Sequence, residues 1–135
     1  MQYDNTLIGE NNTGNMNLSC AWYCARRLRK INFTSWPTSQ WNVTSLVSTF
    51  DGCHSIEQLD LSCWDTANWH VTGISEMFRY CFRLKYLNVP FNTINWGDGA
   101  GKTMSFANAF NSCFSLEELD LSTWNVTNLN VTSLN

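Results

Sequence analysis

One pattern of hydrophobic and polar positions is repeated four times along the chain. Two hydrophobic residues stand three positions apart, a third follows two positions later, and polar residues fill the gaps. The first hydrophobic positions, which stand 28, 28 and 32 residues apart, are Leu28, Ile56, Leu84 and Leu116. A period of this length is typical of repeat proteins, whose units bury their hydrophobic faces only against neighbouring units. The pattern therefore predicts a function carried by a surface that several repeats build together.

Aromatic residues and cysteines recur with the same spacing. The aromatic six positions before the motif is Trp22, Phe50, Phe78 or Phe110. The residue three positions before the motif is Ala25, Cys53, Cys81 or Cys113. Hydrophobic and polar positions alternate at the end of each motif, which is typical of a short strand with one buried face. A polar stretch rich in Asn, Thr and Ser follows and predicts a turn. We expect a short helix or an irregular turn to return the chain to the next strand, and the strands to form a parallel sheet.

The repeats divide the chain into two parts. Residues 1–20 lack the opening motif and are interpreted as an N-terminal leader and half-coil cap, because the terminal units of such an array need shielding. Residues 21–135 are predicted to be the repeat domain, with an incomplete last copy.

Composition narrows the classes of function. Only 14% of the residues are charged and the net charge is −3, which excludes a general electrostatic affinity for nucleic acid. No stretch of 18 apolar residues indicates a membrane span, and no signal peptide is visible at the start. The many aromatic residues at repeat positions favour stacking between coils, Trp36 on Trp64 and Trp41 on Trp69, over an exposed row that grips sugar or protein.

Phrase-length motifs carry a family resemblance. The stretch Leu59–Thr66, the pair Val71 and Thr72, and the segment Phe78–Cys81 resemble the BspA-type leucine-rich repeats of surface proteins. The resemblance covers residues 16–135. It implies an α/β repeat fold: a right-handed leucine-rich-repeat solenoid of about four coils, with a parallel sheet on one side and short helices or turns on the other. It also implies adhesion or protein binding at a cell surface, without catalysis.

No motif in the chain satisfies the requirements of an enzyme, a metal site or a cofactor site. The insert Trp96–Thr103 ends like a phosphate-binding loop, but Trp96 occupies the position of the required first glycine. His54 adjoins Cys53 in sequence, which does not give the facing geometry of a nucleophile and its base. We therefore predict neither a catalytic residue nor a cofactor or metal ligand.

The six cysteines fall into two groups. Those that recur with the core pattern are interpreted as buried thiols. The candidates for disulfides are Cys20, Cys24 and Cys63.

The outward positions of the predicted strands are polar. One column alternates in charge through Arg29, Glu57, Lys85 and Glu117, and the favoured interpretation is that opposite charges on adjacent strands stabilise the sheet. The alternative is a recognition face for a partner, centred on a tyrosine because its ring offers broad contact at low entropic cost. The residues predicted for that face are Lys30, Asn32, Gln58, Asp60, Tyr86, Asn88, Glu118 and Asp120.

Two functions follow from these observations. The first is a non-enzymatic protein-binding or adhesion module, acting on a protein or cell-surface ligand and located at the cell surface or secreted. The alternative is a structural repeat element that self-associates through its open ends. Neither function involves nucleic acid or membrane insertion.

The core interpretation predicts the effect of a charge on one motif position. Leu87→Asp should unfold the protein cooperatively, because an unpaired buried carboxylate is costly. A thermal melt followed by circular dichroism that matches the unsubstituted chain would contradict a core role for Leu87.

Overall fold

Six short strands and one 3₁₀ helix make up the regular structure of this computed structural model, which describes residues 15–97, 102–127 and 129–133. The strands are β1 (Asn15–Asn17), β2 (Asn42–Ser45), β3 (Gln58–Asp60), β4 (Tyr86–Asn88), β5 (Thr103–Ser105) and β6 (Asn130–Ser133). The 3₁₀ helix spans Thr38–Gln40. Most of the leader predicted for residues 1–20 lies outside the described residues.

The expected fold class, a right-handed leucine-rich-repeat solenoid with one parallel sheet on one side and short helices or turns on the other, is wrong. The described residues contain no α-helix. The strands pair in parallel as three separate two-stranded sheets, β1 with β2, β3 with β4, and β5 with β6. Isolated bridges add Gly73 to Ser105 and Tyr86 to Glu118. The protein is therefore built from small strands and turns.

Equivalent residues of successive repeats nevertheless lie side by side. We number the repeats 1 to 4 as residues 18–45, 46–73, 74–105 and 106–133. Strands β3 and β4 are paired in register, with Leu59 opposite Leu87, although these residues stand 28 positions apart. Repeats 2, 3 and 4 each contribute a segment to the ladder that contains β3 and β4, through the pairing of β3 with β4 and the bridge from Tyr86 to Glu118. A second ladder contains β1, β2, β5 and β6.

Turns occupy the segments where the chain returns from one repeat to the next. These turn segments are residues 18–25, 46–53, 74–81 and 106–113. In the second one, the amides of Thr49, Asp51 and Cys53 donate to carbonyls three residues earlier. The amides between them, those of Ser48, Phe50 and Gly52, donate instead to carbonyls of the next repeat, at 2.8–2.9 Å.

This alternation explains why the described turn segments form no α-helix. An α-helix needs each amide to donate to the carbonyl four residues earlier, whereas here every second amide points into the neighbouring repeat. The chain reaches that geometry through left-handed residues at two positions of each turn segment. Those residues are Cys20, Cys24, Ser48, Gly52, Glu76, Tyr80, Asn108 and Ser112. The repeated left-handed conformation, which only Gly52 adopts without steric cost, breaks the helical path.

The core lies between the two ladders and is filled by stacked rings. The column begins with Trp22 on Phe50, whose centroids lie 5.0 Å apart, and continues through Phe78 to Phe110 at 5.8 and 5.6 Å. Trp69 stacks on Trp41 as predicted, with centroids 6.3 Å apart. Offset ring contacts add modestly to the large area that each aromatic side chain buries.

One tryptophan stack predicted from the sequence is built differently. Trp64 stacks on Phe91 at 6.1 Å, and Phe91 stacks on Trp124 at 5.6 Å, so a phenylalanine takes the tryptophan position in repeat 3. Trp36 packs edge-on against Phe33 and Trp41. The core therefore keeps a continuous aromatic column although the residue type changes.

Two glycines test the role of the left-handed positions. Gly52 has φ of +76°, and an added Cβ would lie 3.2 Å from Cys24 Sγ, whereas a Cβ on Gly73 would meet Val47 Cγ2 at 3.4 Å. Gly52→Ala should lower the free energy of unfolding by roughly 1–2 kcal/mol, and Gly73→Ala should lower it by less. Urea unfolding of both variants measures the difference, and equal midpoints would contradict the assigned backbone strain.

Candidate binding surface

A shallow polar groove runs across the strands β3 and β4. Its volume is about 680 Å³. Seven of the eight residues predicted for a recognition face line it, and these are Lys30, Gln58, Asp60, Tyr86, Asn88, Glu118 and Asp120. Asn32, the eighth, is exposed but does not line the groove.

Strand register brings these side chains together. Gln58 lies opposite Tyr86, and Asp60 lies opposite Asn88, while Leu59 between them is buried. A bridge places Glu118 beside Tyr86 on the other side. Because side chains alternate across a strand, the polar residues of three successive repeats face outward as one strip.

Tyr86 occupies the centre of the strip. It is 54% exposed, and among the described rings it shares high exposure with Tyr23 and Phe114, whereas most of the others are buried or half-buried. Its neighbours in the ladder are Gln58 and Glu118, so a flat aromatic face is surrounded by hydrogen-bonding groups. An aromatic centre with a polar rim is typical of surfaces that bind proteins.

The carboxylates of the strip also hold the local backbone. Asp60 accepts hydrogen bonds from the amide of Ser62 at 2.9 Å and from Asn88 Nδ2 at 3.1 Å. Asp120 accepts from the amide of Ser122 at 2.8 Å. The hydrogen bonds from Ser62 and Ser122 lower the pKa of Asp60 and of Asp120 below their usual value. Both groups therefore remain negative at neutral pH, with lone pairs left for a partner.

Beside the strip, Glu57 and Arg83 form an ion pair that was not predicted from the sequence. The carboxylate of Glu57 accepts a hydrogen bond from Arg83 at 2.7 Å, and both side chains are at least half exposed. The alternating column had suggested Arg29 and Lys85 as partners for Glu57. An exposed pair of this kind contributes at most about 1 kcal/mol.

A partly buried ion-pair cluster lies in the turn segments and was not predicted from the sequence. Arg79 donates from Nε and Nη2 to the two oxygens of Asp51, at 3.2 and 2.7 Å, and from Nη1 to Glu76 at 2.6 Å. The Asp51 side chain is 2% exposed. The hydrogen bond to Asp51 raises the pKa of Arg79. The cluster joins repeats 2 and 3, because Asp51 belongs to repeat 2 and both Glu76 and Arg79 belong to repeat 3.

The recurring cysteines donate hydrogen bonds between repeats. Cys53 donates to the carbonyl of Trp22, Cys81 to that of Phe50, and Cys113 to that of Phe78, at 3.1–3.3 Å. Burial raises the pKa of Cys53 to about 12, raises that of Cys81 further, and raises that of Cys113 to about 11. All six cysteines are free thiols, including the three disulfide candidates.

The other residues considered for catalysis or cofactor binding make structural contacts. His54 packs its ring on Phe82 at 4.7 Å, although it adjoins Cys53 in sequence. Lys102 donates from Nζ to the carbonyl of Ile94 at 3.1 Å, while residues 98–101 of the glycine insert lie outside the described residues. Among the described residues, no group of three His, Cys, Asp or Glu side chains is placed to hold a metal ion.

The described fold and groove define a repeat protein with an exposed polar strip along its strands. Residues 4–99, more than half of the chain, match the family described as "Mycoplasma protein of unknown function, DUF285", and the chain belongs to this family. No curated protein and no solved structure matches the chain. In the described part, no helix has the length and apolar character needed to cross a membrane.

The thiol environments predict selective labelling. The thiolate is the reactive form, so the raised pKa values and burial should keep Cys53 and Cys81 unreactive toward iodoacetamide at pH 8, while the exposed Cys20 and Cys24 react. Peptide mapping by mass spectrometry measures each site. Labelling of Cys53 as fast as that of Cys24 would contradict the assignment, and unfolding in urea, as a control, should make all six react.

The same pKa values predict how stability depends on pH. A thiol whose pKa is raised by folding stabilises the protein while it is protonated. The contribution of Cys53 is therefore complete below its ordinary pKa of 9.0 and is lost as the pH rises toward about 12. Urea unfolding between pH 8 and 11 measures the effect. Cys53→Ala should reduce this alkaline loss of stability, and an unchanged pH profile would contradict the assignment.

Proposed function

We propose that the chain is a non-enzymatic protein-binding module that uses the groove across β3 and β4. The observation that carries the proposal is the exposed Tyr86 at the centre of a polar strip from three repeats. The residues around it differ in chemistry from repeat to repeat, although the buried positions beside them are alike. Packing fixes the buried positions, whereas outward positions are free to acquire specificity.

The chemistry of the groove suits a peptide or protein surface. Arg29 and Lys30 of repeat 1 provide donors, Asp60 of repeat 2 provides an acceptor, and Glu118 and Asp120 of repeat 4 provide further acceptors. A partner with the reverse arrangement of charges would be oriented along the strip, because complementary charge sets register. The width of the groove is open to solvent, which favours an extended or flat partner over an enclosed small molecule.

Adhesion at a cell surface is the setting that the resemblance to BspA-type repeats supports. This part of the proposal depends on the motifs quoted from the sequence. Catalysis is the weaker alternative because the described cysteine, histidine and lysine candidates already contact core or backbone groups.

A paired substitution tests the groove. Tyr86→Ala together with Asp60→Ala should weaken binding of the fluorescently labelled chain to intact cultured cells by about tenfold or more, since central aromatic residues carry much of the energy of an interface. Flow cytometry over a concentration series measures the affinity. Mild protease treatment of the cells should abolish binding if the partner is a protein.

A matched control distinguishes damage to the groove from the general effect of removing exposed side chains. Ile94→Ala with Asp65→Ala removes an equally exposed hydrophobic side chain, 51% exposed, and an aspartate that also accepts a bond from an amide two residues later. This variant should bind as the unsubstituted chain does. Undiminished binding by a folded Tyr86 and Asp60 variant would place the site elsewhere.

A further inference from the structure

Four exposed side chains form one column across the groove, at equivalent positions of the four repeats. They are Lys30, Gln58, Tyr86 and Glu118. Strand pairing places Gln58 opposite Tyr86, and a bridge places Glu118 on the other side of Tyr86. The column runs in the same direction as the groove, so a single segment of a partner can contact all four side chains.

Contacts on both sides of Lys30 hold its segment against repeat 2. Before it in the chain, Ser55 Oγ donates to the carbonyl of Arg26 at 2.6 Å. After it, Phe33 packs edge-on against Trp64, with ring centroids 5.1 Å apart. Repeat 1 therefore brings Lys30 to the column although its segment forms no regular strand there.

Repeats 1 and 4 contribute opposite and uncompensated charges to the column. Among the described residues, neither Lys30 nor Glu118 forms an ion pair, whereas Glu57 close by pairs with Arg83 at 2.7 Å. Between these charges lie an amide that both donates and accepts, on Gln58, and the 54% exposed ring of Tyr86. The column thus has a positive charge, an uncharged centre with a ring, and a negative charge.

The geometry of the sheet sets the distance between the two charges. Neighbouring strands lie about 4.8 Å apart, so Lys30 and Glu118, three repeats apart, are separated by about 14 Å. An extended peptide advances about 3.4 Å per residue, and its alternate side chains face the same way. A span of about 14 Å therefore corresponds to about four residues, with one further side chain facing the sheet midway.

We propose that the groove recognises an extended peptide segment in which an acidic and a basic residue stand four positions apart with an apolar residue midway. This inference rests on the binding function proposed for the groove and specifies its partner. The acidic residue faces Lys30, the basic residue faces Glu118, and the apolar residue packs on Tyr86 and the methylene groups of Gln58. The intervening side chains point away from the sheet, because side chains alternate along an extended chain.

Synthetic peptides of equal composition test the spacing. The matched peptide is Thr-Thr-Glu-Thr-Val-Thr-Arg-Thr-Thr, and the comparison peptide, Thr-Thr-Thr-Glu-Val-Arg-Thr-Thr-Thr, has its charges two positions apart. Fluorescence anisotropy of each labelled, end-capped peptide is measured against the 135-residue chain at low ionic strength. The matched peptide should bind about tenfold more tightly, because only its charges reach both ends of the column. Equal affinities would overturn the proposal.

Charge reversal in the column supplies the matched control. Lys30→Glu alone and Glu118→Lys alone should each weaken binding of the matched peptide about tenfold, because one of its charges then meets a like charge. The double variant should recover the affinity, since the peptide can bind in the opposite direction. Both positions are exposed, so all three variants should melt as the unsubstituted chain does by circular dichroism. A loss that persists in the folded double variant would contradict charge matching.

The peptide and cell experiments distinguish this inference from the proposed function. Cell binding that is lost in the Tyr86 and Asp60 variant, with no binding of either peptide, would overturn the extended segment alone. The groove would then bind a folded surface. Undiminished cell binding by that variant would instead overturn the proposed function.

Discussion

The donation of every second backbone amide from one turn segment to the next repeat is the interaction on which this fold depends. It satisfies polar groups that would otherwise be buried without partners. It also fixes the translation between repeats, because the bonds from Ser48, Phe50 and Gly52 are matched by those from Glu76, Phe78 and Tyr80. The aromatic column, the cysteine hydrogen bonds and the two strand ladders all follow from that translation.

Buried thiols and an ion pair lie at the boundaries between repeats, where they add side-chain contacts to the backbone hydrogen bonds. The recurring thiols are buried there and donate to carbonyls of the preceding repeat, as Cys53 and Cys81 do. The Asp51 carboxylate is buried at the same boundary, where Arg79 neutralises it from the next repeat. Because a buried carboxylate without a partner is costly, this pair ties repeat 2 to repeat 3.

Much of the packing could be predicted from the sequence, since the period alone identifies which residues are equivalent. It correctly placed Leu59 and Leu87 inside, stacked Trp69 on Trp41, and brought most of the polar strip to one surface. The turn segments could not be predicted in this way. Ser48, Glu76 and Tyr80 have no intrinsic preference for the left-handed conformation that they adopt. Hydrogen bonds to a neighbouring repeat impose it, and a local pattern does not contain that neighbour.

Amide hydrogen exchange measured by NMR tests the central claim most directly. In dilute protein, the amides of Phe50, Gly52, Phe78 and Tyr80 should exchange slowly, since each donates to the next repeat. The amides of Phe110 and Ser112 should exchange fast at their equivalent positions. Protection of Phe110 and Ser112 equal to that of Phe50, Gly52, Phe78 and Tyr80 would indicate bonds within each turn segment and would contradict the account.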